Sequence, residues 1–321
     1  MDVAVKAAVL HEYGVPRFDE FEEPAVAPGL ASEQAVVEVL AAGLNPVDVA
    51  ISAGRFYAGR PPLPSVAGRE GVGRLAGGDG GRVYFDAPIL PFGSMAERAL
   101  IDPRSTYAVP DGLDDGVAVS LGISGLAAWL ALAWRARVRE GEHVLVLGAS
   151  GVLGQIAVQG AKLLGAARVV AAARSREGLE RCLALGADAA VPLDEPEDLA
   201  AAFGEAAEGR IDVVLDPLFG APFAAALGAA SFGARIVQIG ASAGAEATVP
   251  SAPIRGKMLV IMGHTNFAAP PEVKREAYER MAAEAVAGRL RVETEPLALE
   301  RVGEAWARLA AGSHRKIVLV P

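Results

Sequence analysis

The sequence predicts an α/β protein in which a doubly wound parallel sheet follows a β-rich segment. From about residue 117, short apolar runs alternate with segments of helix length, a pattern typical of parallel strands joined by right-handed crossovers. Before about residue 115, apolar runs are separated by prolines and glycines, which favours a β-rich domain. A glycine-containing turn opens the alternating half and also predicts a ligand site.

The patterning predicts the individual elements. In the β-rich segment, strands are expected at 7–10, 34–40, 71–75 and 82–85. In the alternating half, strands are expected at 144–147, 168–172, 189–191, 211–215, 234–239 and 258–262, with helices beginning near 155, 177, 197 and 221. The last segment is expected to form helices at 271–287 and 299–310 and a strand at 316–320 that packs back on the first domain.

The glycine turn, residues 148–154, lies between a buried strand and an amphipathic helix. Gly148, Gly151 and Gly154 remove side chains where the backbone must turn sharply and approach another group. Because the free N–H groups and the positive end of the helix dipole meet there, the turn predicts an anion site, and its natural occupant is a pyrophosphate.

The match to the dinucleotide fingerprint Gly-x-Gly-x-x-Gly is imperfect. Six residues align with it: Ala149, Ser150, Gly151, Val152, Leu153 and Gly154. Alanine replaces the first glycine, so an ordinary glycine-bearing turn between strand and helix is the alternative. The clear strand before the turn and helix after it favour the binding site.

Composition excludes several classes of protein. The 321-residue chain is long enough for two domains, and its net charge of −9 with no basic run argues against nucleic acid or an anionic membrane as a partner. One cysteine, Cys182, rules out an internal disulfide and fits a reducing cytoplasm. No signal peptide is expected at the N-terminus. The uncharged stretch 116–134 resembles a membrane span but is better explained as a buried helix joining two domains.

Several motifs together resemble the medium-chain dehydrogenase/reductase superfamily, and within it the zinc-free, zeta-crystallin-like quinone oxidoreductases. The matching segments are Ala-Ala-Val-Leu-His at 7–11, Ala-Gly-Leu-Asn-Pro-Val-Asp at 42–48, Gly-Arg-Glu-Gly at 68–71, Val-Pro-Asp-Gly-Leu at 109–113, Gly-Glu-His-Val-Leu-Val at 141–146, Leu-Gly-Ala-Asp at 185–188, Asp-Val-Val-Leu-Asp at 212–216 and Lys-Ile-Val-Leu at 316–319. They run nearly end to end, and their order and spacing carry the resemblance.

The resemblance implies a two-domain architecture. A GroES-like β-rich catalytic domain would comprise residues 1–118 and 264–321, and an NADP-binding Rossmann domain residues 119–263. Family members commonly form homodimers by pairing the last sheet strand, here around 258–262. An unpaired apolar edge strand also needs covering on physical grounds.

The end of the second strand of the alternating half favours NADPH as cofactor. A carboxylate that would bind the ribose hydroxyls of NAD is absent there, and Arg174, Ser175 and Arg176 stand in its place. Guanidinium groups match the geometry of a phosphate. The alternative is that both arginines are only solvated residues of a surface loop. Glu177, a carboxylate close to this strand end, would favour NAD instead. Gly240, Ala241 and Ser242, just past another strand, are further candidate cofactor contacts.

No metal site is expected. Zinc-dependent relatives carry a cysteine near Asn45 and a histidine where Arg69 stands, and arginine cannot ligate zinc. The four histidines lack ligand spacing, although the resemblance places His264 and Asn266 near the nicotinamide. For His264 a packing or backbone role is favoured.

The resemblance suggests Asn45 and Tyr57 as catalytic residues. Relatives have an asparagine near the nicotinamide, and enoyl reductases use a tyrosine one position earlier in the chain, where Phe56 stands here. Tyr57 is therefore better explained as a pocket-wall residue than as an acid. For Asp48, a structural hydrogen bond is favoured over proton chemistry.

These observations predict an NADPH-dependent, zinc-independent reductase that passes hydride to a quinone or another conjugated carbonyl compound. The first alternative is a medium-chain enoyl-thioester reductase. The second is a protein that binds NADPH without turnover, as a structural or regulatory module. The glycine turn alone does not separate the three.

Overall fold

The computed structural model describes residues 4–78 and 80–321. Residues 1–3 of the N-terminal segment, and Asp79, lie outside the described residues. The chain divides into two compact units. The first contains the described residues up to Ile123 together with Tyr278–Gly288 and Val292–Pro321, and the second contains Ser124–Ala277 and Arg289–Arg291.

The first unit is built on two largely antiparallel sheets. Its strands are β1 (Ala4–Leu10), β2 (Arg17–Glu22), β3 (Ala35–Gly43), β4 (Ser65–Val66), β5 (Glu70–Leu75), β6 (Arg82–Asp86), β7 (Arg98–Ile101), β8 (Thr106–Ala108), β15 (Thr294–Ala298) and β16 (Lys316–Val320). The smaller sheet has the order β2-β1-β4, and the larger has the order β15-β16-β3-β5-β6-β8, with β7 also paired to β3.

The last strand of the chain completes the larger sheet. Strand β16 runs antiparallel to β3, with Leu319 opposite Ala42 and Val318 opposite Gly43. Ile317 and Leu319 are buried in the apolar core beneath this sheet, as the run Ile-Val-Leu-Val predicts for a covered strand. The prediction that the terminal strand returns to the first domain is confirmed.

The second unit is built on a six-stranded parallel sheet. Its strands are β9 (His143–Leu147), β10 (Arg168–Ala173), β11 (Ala189–Pro192), β12 (Val213–Asp216), β13 (Arg235–Gln238) and β14 (Val260–Gly263), in the order β11-β10-β9-β12-β13-β14. The order reverses on either side of β9, which confirms the doubly wound topology. At such a switch point, the carboxyl ends of the strands form a crevice where ligands bind.

Ten α-helices lie in the described part of the chain. They are α1 (Pro46–Ser52), α2 (Asp115–Ser120), α3 (Leu126–Leu130), α4 (Val152–Leu163), α5 (Arg176–Ala184), α6 (Leu199–Ala206), α7 (Gly220–Ala229), α8 (Ser251–Gly256), α9 (Pro271–Val286) and α10 (Val302–Ala310). Two wide helical turns, Leu121–Gly125 and Ala131–Ala136, follow α2 and α3.

Among the described residues, one helical stretch, Asp115–Ala136, is long and apolar enough to cross a membrane by length and composition. In the fold, 78% of its most apolar window is buried. It is not a single regular helix, because Gly122 breaks the helical backbone with φ −67° and ψ −116°. Burial on this scale is expected of a core helix.

The unit boundaries differ from the predicted domain boundaries at three places. Residues 119–123 belong to the first unit, and residues 264–277 and 289–291 belong to the second. His264 directly follows β14 and remains tied to it, since its N–H donates to the carbonyl of Gln238 at 3.0 Å and its ring meets Trp134 edge-on.

Candidate functional site

The glycine turn leaves the carboxyl end of β9 and enters α4. Gly148 adopts a φ of +63°, and the N–H of Ala149 donates to the carbonyl of Ala172 at 3.0 Å, which ties the turn to β10. A Cβ at Gly154 would lie 2.5 Å from the Cα of Ala149 and from the carbonyl oxygen of Gly148. The turn and the first turn of α4 can pack this closely only because residue 154 is glycine.

The N-terminus of α4 is open. No side chain caps it at Gly151, whereas Asp198 and Ser175 cap α6 and α5 by accepting from backbone N–H groups. The first N–H groups of a helix have no intrahelical acceptor, so the first turn of α4 offers donors to an anion at the positive end of the helix dipole.

Two segments predicted to bind the cofactor lie side by side. A Cβ at Gly178, in the first turn of α5, would lie 2.3 Å from the Cβ of Ser150 in the glycine turn. Because α5 follows β10 directly, this contact places Arg174 and Ser175 next to the glycine turn. The Ser175 hydroxyl accepts from the N–H of Gly178 at 3.0 Å and keeps its own proton available to a second group.

The two candidate arginines differ in their surroundings. Arg176 forms an ion pair with Glu195, and its side chain is 76% exposed. Arg174 is exposed at the end of β10 and has no ion-pair partner among the described residues. Glu177, the residue that could argue for NAD, is paired with Arg181 at 3.1 Å. Arg174 is therefore the cation that this edge leaves available to a phosphate.

Residues 240–242 follow β13 at the same edge of the sheet. A Cβ at Gly240 would lie 2.7 Å from the carbonyl oxygen of Pro217, and the hydroxyl of Ser242 donates to that oxygen at 3.1 Å. The connections after β12 and β13 are thereby held against each other. Ala241 lies between Gly240 and Ser242 on this connection and is exposed.

His264 and Asn266 contact each other beyond the end of β14. The Nε2 of His264 lies 3.1 Å from the Oδ1 of Asn266, while its buried Nδ1 has no hydrogen-bond partner among the described residues. Burial lowers the pKa of His264, and the nearby Arg135 guanidinium lowers it further. The ring is neutral at neutral pH, which fits the packing role expected of it.

A second polar cluster lies within the first unit and contains Asn45. Asn45 precedes α1, and its backbone N–H donates to the Oδ2 of Asp48 at 2.8 Å. Its side-chain amide donates to the Oε1 of Glu70 at 2.7 Å, and its Oδ1 accepts from the Nζ of Lys316 at 2.7 Å. Asn45 is 2% exposed, so in this structure its side chain holds the cluster together.

The cluster is centred on a buried ion pair between Glu70 and Lys316. Their Oε1 and Nζ atoms are 2.7 Å apart, and the side chains are 0% and 1% exposed. The other oxygen of Glu70 accepts from the Tyr84 hydroxyl at 2.9 Å and from the N–H of Ile123 at 2.6 Å. Four donors therefore satisfy this carboxylate, as a buried charge requires.

Sequence reasoning missed Lys316 and gave Glu70 no role. The available signal was a charged residue at the first position of each of two apolar strands, β16 and β5. Such a residue normally lies at a solvated strand end, so the signal indicates a buried pair only once the two strands are known to share a sheet.

A cavity of about 160 Å³ lies beside this cluster, within the first unit. Asp48 and Arg69 form part of its wall, together with Phe56. Tyr57 packs against Phe56 with ring centroids 4.5 Å apart, but it is 77% exposed and is not part of the wall. The structure therefore places Phe56, rather than Tyr57, where a bound molecule would be contacted.

Comparison with known proteins identifies the family. The model of the zinc-binding dehydrogenase family matches residues 152–284. The quinone oxidoreductase of Rattus norvegicus is 32% identical over 74% of this chain and 73% of its own length, and that of Homo sapiens is 29% identical over 96% and 95%. The chain belongs to the quinone oxidoreductase branch of the medium-chain dehydrogenase/reductase superfamily.

Solved structures agree with this membership. The quinone oxidoreductase of Thermus thermophilus, solved alone and with NADPH, has a TM-score of 0.78, 30% identity and coverage of 98% of this chain and 100% of its own. A probable oxidoreductase from Mycobacterium abscessus has a TM-score of 0.84 and 27% identity, with both chains covered completely. The parallel sheet is thus a Rossmann domain and the β-rich unit a GroES-like domain, as predicted, and the protein is an oxidoreductase.

The second unit fits the nicotinamide cofactor of such a quinone oxidoreductase. The glycine turn supplies close backbone approach, and α4 supplies an uncapped N-terminus for a pyrophosphate. The assignments of individual cofactor contacts and of Asn45 and Tyr57 as catalytic residues stay predictions. Within residues 4–78 and 80–321, no group of three or more His, Cys, Asp or Glu residues is arranged to hold a metal ion.

Proposed function

We propose that the protein is an NADPH-dependent, zinc-independent reductase that transfers hydride to a quinone or another conjugated carbonyl compound. The observation that supports NADPH most strongly is Arg174, an exposed cation with no ion-pair partner among the described residues. It lies beside the glycine turn, where NAD enzymes place a carboxylate. Arg174 and the Ser175 hydroxyl would contact the 2′-phosphate, since charge-assisted hydrogen bonds to phosphate are among the strong ones.

Two features support zinc independence and the acceptor class. Arg69 stands where zinc-dependent relatives carry a histidine, and the sole cysteine, Cys182, lies on the buried face of α5, where burial raises the pKa of its thiol to about 11. Among the relatives, one from Arabidopsis thaliana is described as an NADPH-dependent alkenal/one oxidoreductase. Its acceptor, like a quinone, carries a conjugated carbonyl group.

The bound nicotinamide would supply the hydride, and the protein would position it. The N-terminus of α4 and the glycine turn would hold the pyrophosphate, and Arg174 would fix the adenosine end. His264 and Asn266, beyond β14, would lie by the nicotinamide end. Each of these roles is one of binding and orientation, which is how proteins contribute to cofactor chemistry.

Steady-state oxidation of NADPH with a quinone, a 2-enal and an enoyl thioester tests this function. Turnover of the quinone or the enal above that of the thioester is expected, with NADPH preferred over NADH. Preference for the thioester would support an enoyl-thioester reductase. Tight NADPH binding without turnover of any of the three would support a non-catalytic module.

We also propose that the protein is cytoplasmic and forms a homodimer. The single cysteine, which cannot form an internal disulfide, supports the first. The exposed edge strand β14, on which Ile261 is 42% and Val260 46% exposed, supports the second, because an apolar strand edge is stabilised by pairing.

A further inference from the structure

Asp48 carries a buried carboxyl oxygen that the fold does not use. The residue is 1% exposed, and its Oδ2 accepts from the backbone N–H of Asn45 at 2.8 Å and from the Asn45 amide at 3.3 Å. Its Oδ1 is buried and has no hydrogen-bond partner among the described residues. Asp48 is also one of the residues that line a cavity. Buried polar atoms are normally paired, so an oxygen left unpaired on such a residue points to a ligand.

The cavity that Asp48 lines would suit a small conjugated molecule. Most of its wall is apolar, formed by Leu10, Ile51, Phe56, Val66 and Leu90. Its volume of about 160 Å³ is close to that of a cavity that holds a benzene molecule, about 150 Å³. One ring, or a chain of similar size, fits this space.

Burial and the surrounding charges keep much of Asp48 protonated up to about pH 7. Burial raises its pKa to about 7, and the Glu70 carboxylate acts in the same direction, against smaller opposing effects of the Asn45 hydrogen bonds and Lys316. Glu70 already accepts four hydrogen bonds. Arg60 and Arg69 also lie on the cavity wall. Because Oδ2 accepts two hydrogen bonds, the proton of Asp48 belongs on Oδ1.

We propose that Asp48 is the general acid of the reduction, giving its Oδ1 proton to the carbonyl oxygen of a single-ring or short-chain conjugated acceptor bound in this cavity. The proposal rests on the proposed reductase function. Asn45, held by Lys316 and Glu70, is then a positioning residue that keeps Oδ2 occupied and turns Oδ1 towards the acceptor.

The step balances for a conjugated ketone. The β carbon takes the hydride that a bound reduced nicotinamide would give up, with loss of two electrons by the nicotinamide. The C=C pair moves between the α and carbonyl carbons, and the C=O π pair goes to oxygen. That oxygen takes the Asp48 proton, and the product is an enol that becomes the saturated ketone in water. The Asp48 carboxylate then recovers a proton from solvent. The ketone is reduced by two electrons.

The pH dependence of kcat with 2-cyclohexen-1-one tests the assignment. For the wild type, kcat is expected to be constant below about pH 7 and to fall tenfold per unit above it, since the acid must be protonated. Asp48→Asn keeps the shape and the bond from Asn45 but has no proton to give. It is expected to lower kcat by about 10²-fold at pH 6 and to abolish the alkaline limb. Asp111→Asn, in an exposed turn, is the matched control.

A second measurement does not depend on activity. A carboxyl group whose pKa is raised on folding stabilises the protein below its unfolded pKa, and that contribution is lost as the pH rises to the folded value. The stability of the wild type relative to Asp48→Asn should therefore fall between about pH 4 and pH 7. A difference that does not change over this range would show that Asp48 is ionised throughout and would overturn the proposal.

The outcomes separate this proposal from the proposed function. No turnover by the wild type with any acceptor refutes the reductase itself. Wild-type turnover without a fall between pH 6 and pH 9 refutes Asp48 as the acid, even if the Asn variant fails to fold. An unchanged kcat in Asp48→Asn refutes it equally.

Benzoquinone is expected to be a better acceptor than phenanthrenequinone, and the reverse would overturn the single-ring assignment.

Discussion

At the scale of single residues, the site depends on which charges are already paired. Arg176 is engaged by Glu195 and Glu177 by Arg181, whereas Arg174 is left available at the end of β10. The same distinction applies in the first unit. Lys316 is paired with Glu70, whereas Oδ1 of Asp48 has no hydrogen-bond partner among the described residues. Unpaired groups are the ones from which binding energy can be gained.

Replacing Arg174 tests the phosphate contact. Arg174→Ala should weaken NADPH binding about 10- to 100-fold, because a hydrogen bond to a charged group contributes about 1.5–3 kcal/mol. Binding of NADH should hardly change. Titration of both cofactors by fluorescence measures the two affinities. Arg176→Ala is the matched control and should have the smaller effect; equal losses for NADPH and NADH in Arg174→Ala would contradict the assignment.

Replacing Lys316 tests the buried ion pair. Lys316→Met should lower the free energy of unfolding by about 3–5 kcal/mol, because it leaves the Glu70 carboxylate buried without a counter-ion. Denaturant unfolding measures this loss. Lys6→Met is the control, since the Lys6–Glu20 pair is exposed to solvent and its loss should change the free energy of unfolding little. If both substitutions cost the same, Glu70 would not depend on Lys316.

At this scale, sequence reasoning identified site residues that are close together along the chain and missed the one that is far away. Asn45 and Asp48 are three residues apart, so one motif identified both. Lys316 bonds to Asn45 across 271 residues, and only the pairing of β16 with β3 brings them together. The sequence also could not show that Oδ1 of Asp48 has no hydrogen-bond partner among the described residues, because that depends on how many donors the folded cluster supplies.

At the scale of elements, α4 carries two glycines with opposite roles. A Cβ at Gly154 would lie 2.5 Å from backbone atoms of the glycine turn, whereas a Cβ at Gly160 would lie 3.5 Å from its nearest neighbour, the ring of Trp129. The first distance requires the backbone to move, and the second is ordinary van der Waals contact.

These glycines make a matched pair of variants. Gly154→Ala should lower the free energy of unfolding by about 1–3 kcal/mol, as overpacking does, and should weaken NADPH binding by displacing the turn. Gly160→Ala should leave NADPH binding unchanged and raise stability by up to about 1 kcal/mol through helix propensity. Thermal unfolding with and without NADPH reports both quantities. Intact NADPH binding in Gly154→Ala would count against the turn as the pyrophosphate site.

Elements with a strong apolar pattern were predicted within a few residues. The six strands of the parallel sheet were all expected, since runs such as 144–147 are buried on both faces. Strand β2 was not, because Arg-Phe-Asp-Glu-Phe-Glu lacks a buried face and pairs as an exposed edge of the smaller sheet. Strand β15 was missed too, since it contains Pro296 and is held by its register with β16.

At the scale of the whole molecule, the edge strand β14 offers the test of assembly. Ile261→Lys should convert the proposed dimer to a monomer, because a lysine on a strand edge opposes pairing with a second edge. Sedimentation velocity measures the change. Phe232→Lys, which removes a side chain that is 71% exposed outside any strand, is the control. A dimer that survives Ile261→Lys would place the interface elsewhere.

Because Lys316 lies in β16, the polar cluster around Glu70 can be completed only after β16 has been synthesised. Every residue of the second unit, up to Ala277 and then Arg289–Arg291, is synthesised before β16. Domains generally fold as units during synthesis, so the sheet that binds the nucleotide can form on the ribosome while Glu70 still awaits its counter-ion. The first unit is completed only when β16 has been made, so the proposed cofactor site can form before the polar cluster around Glu70 is closed.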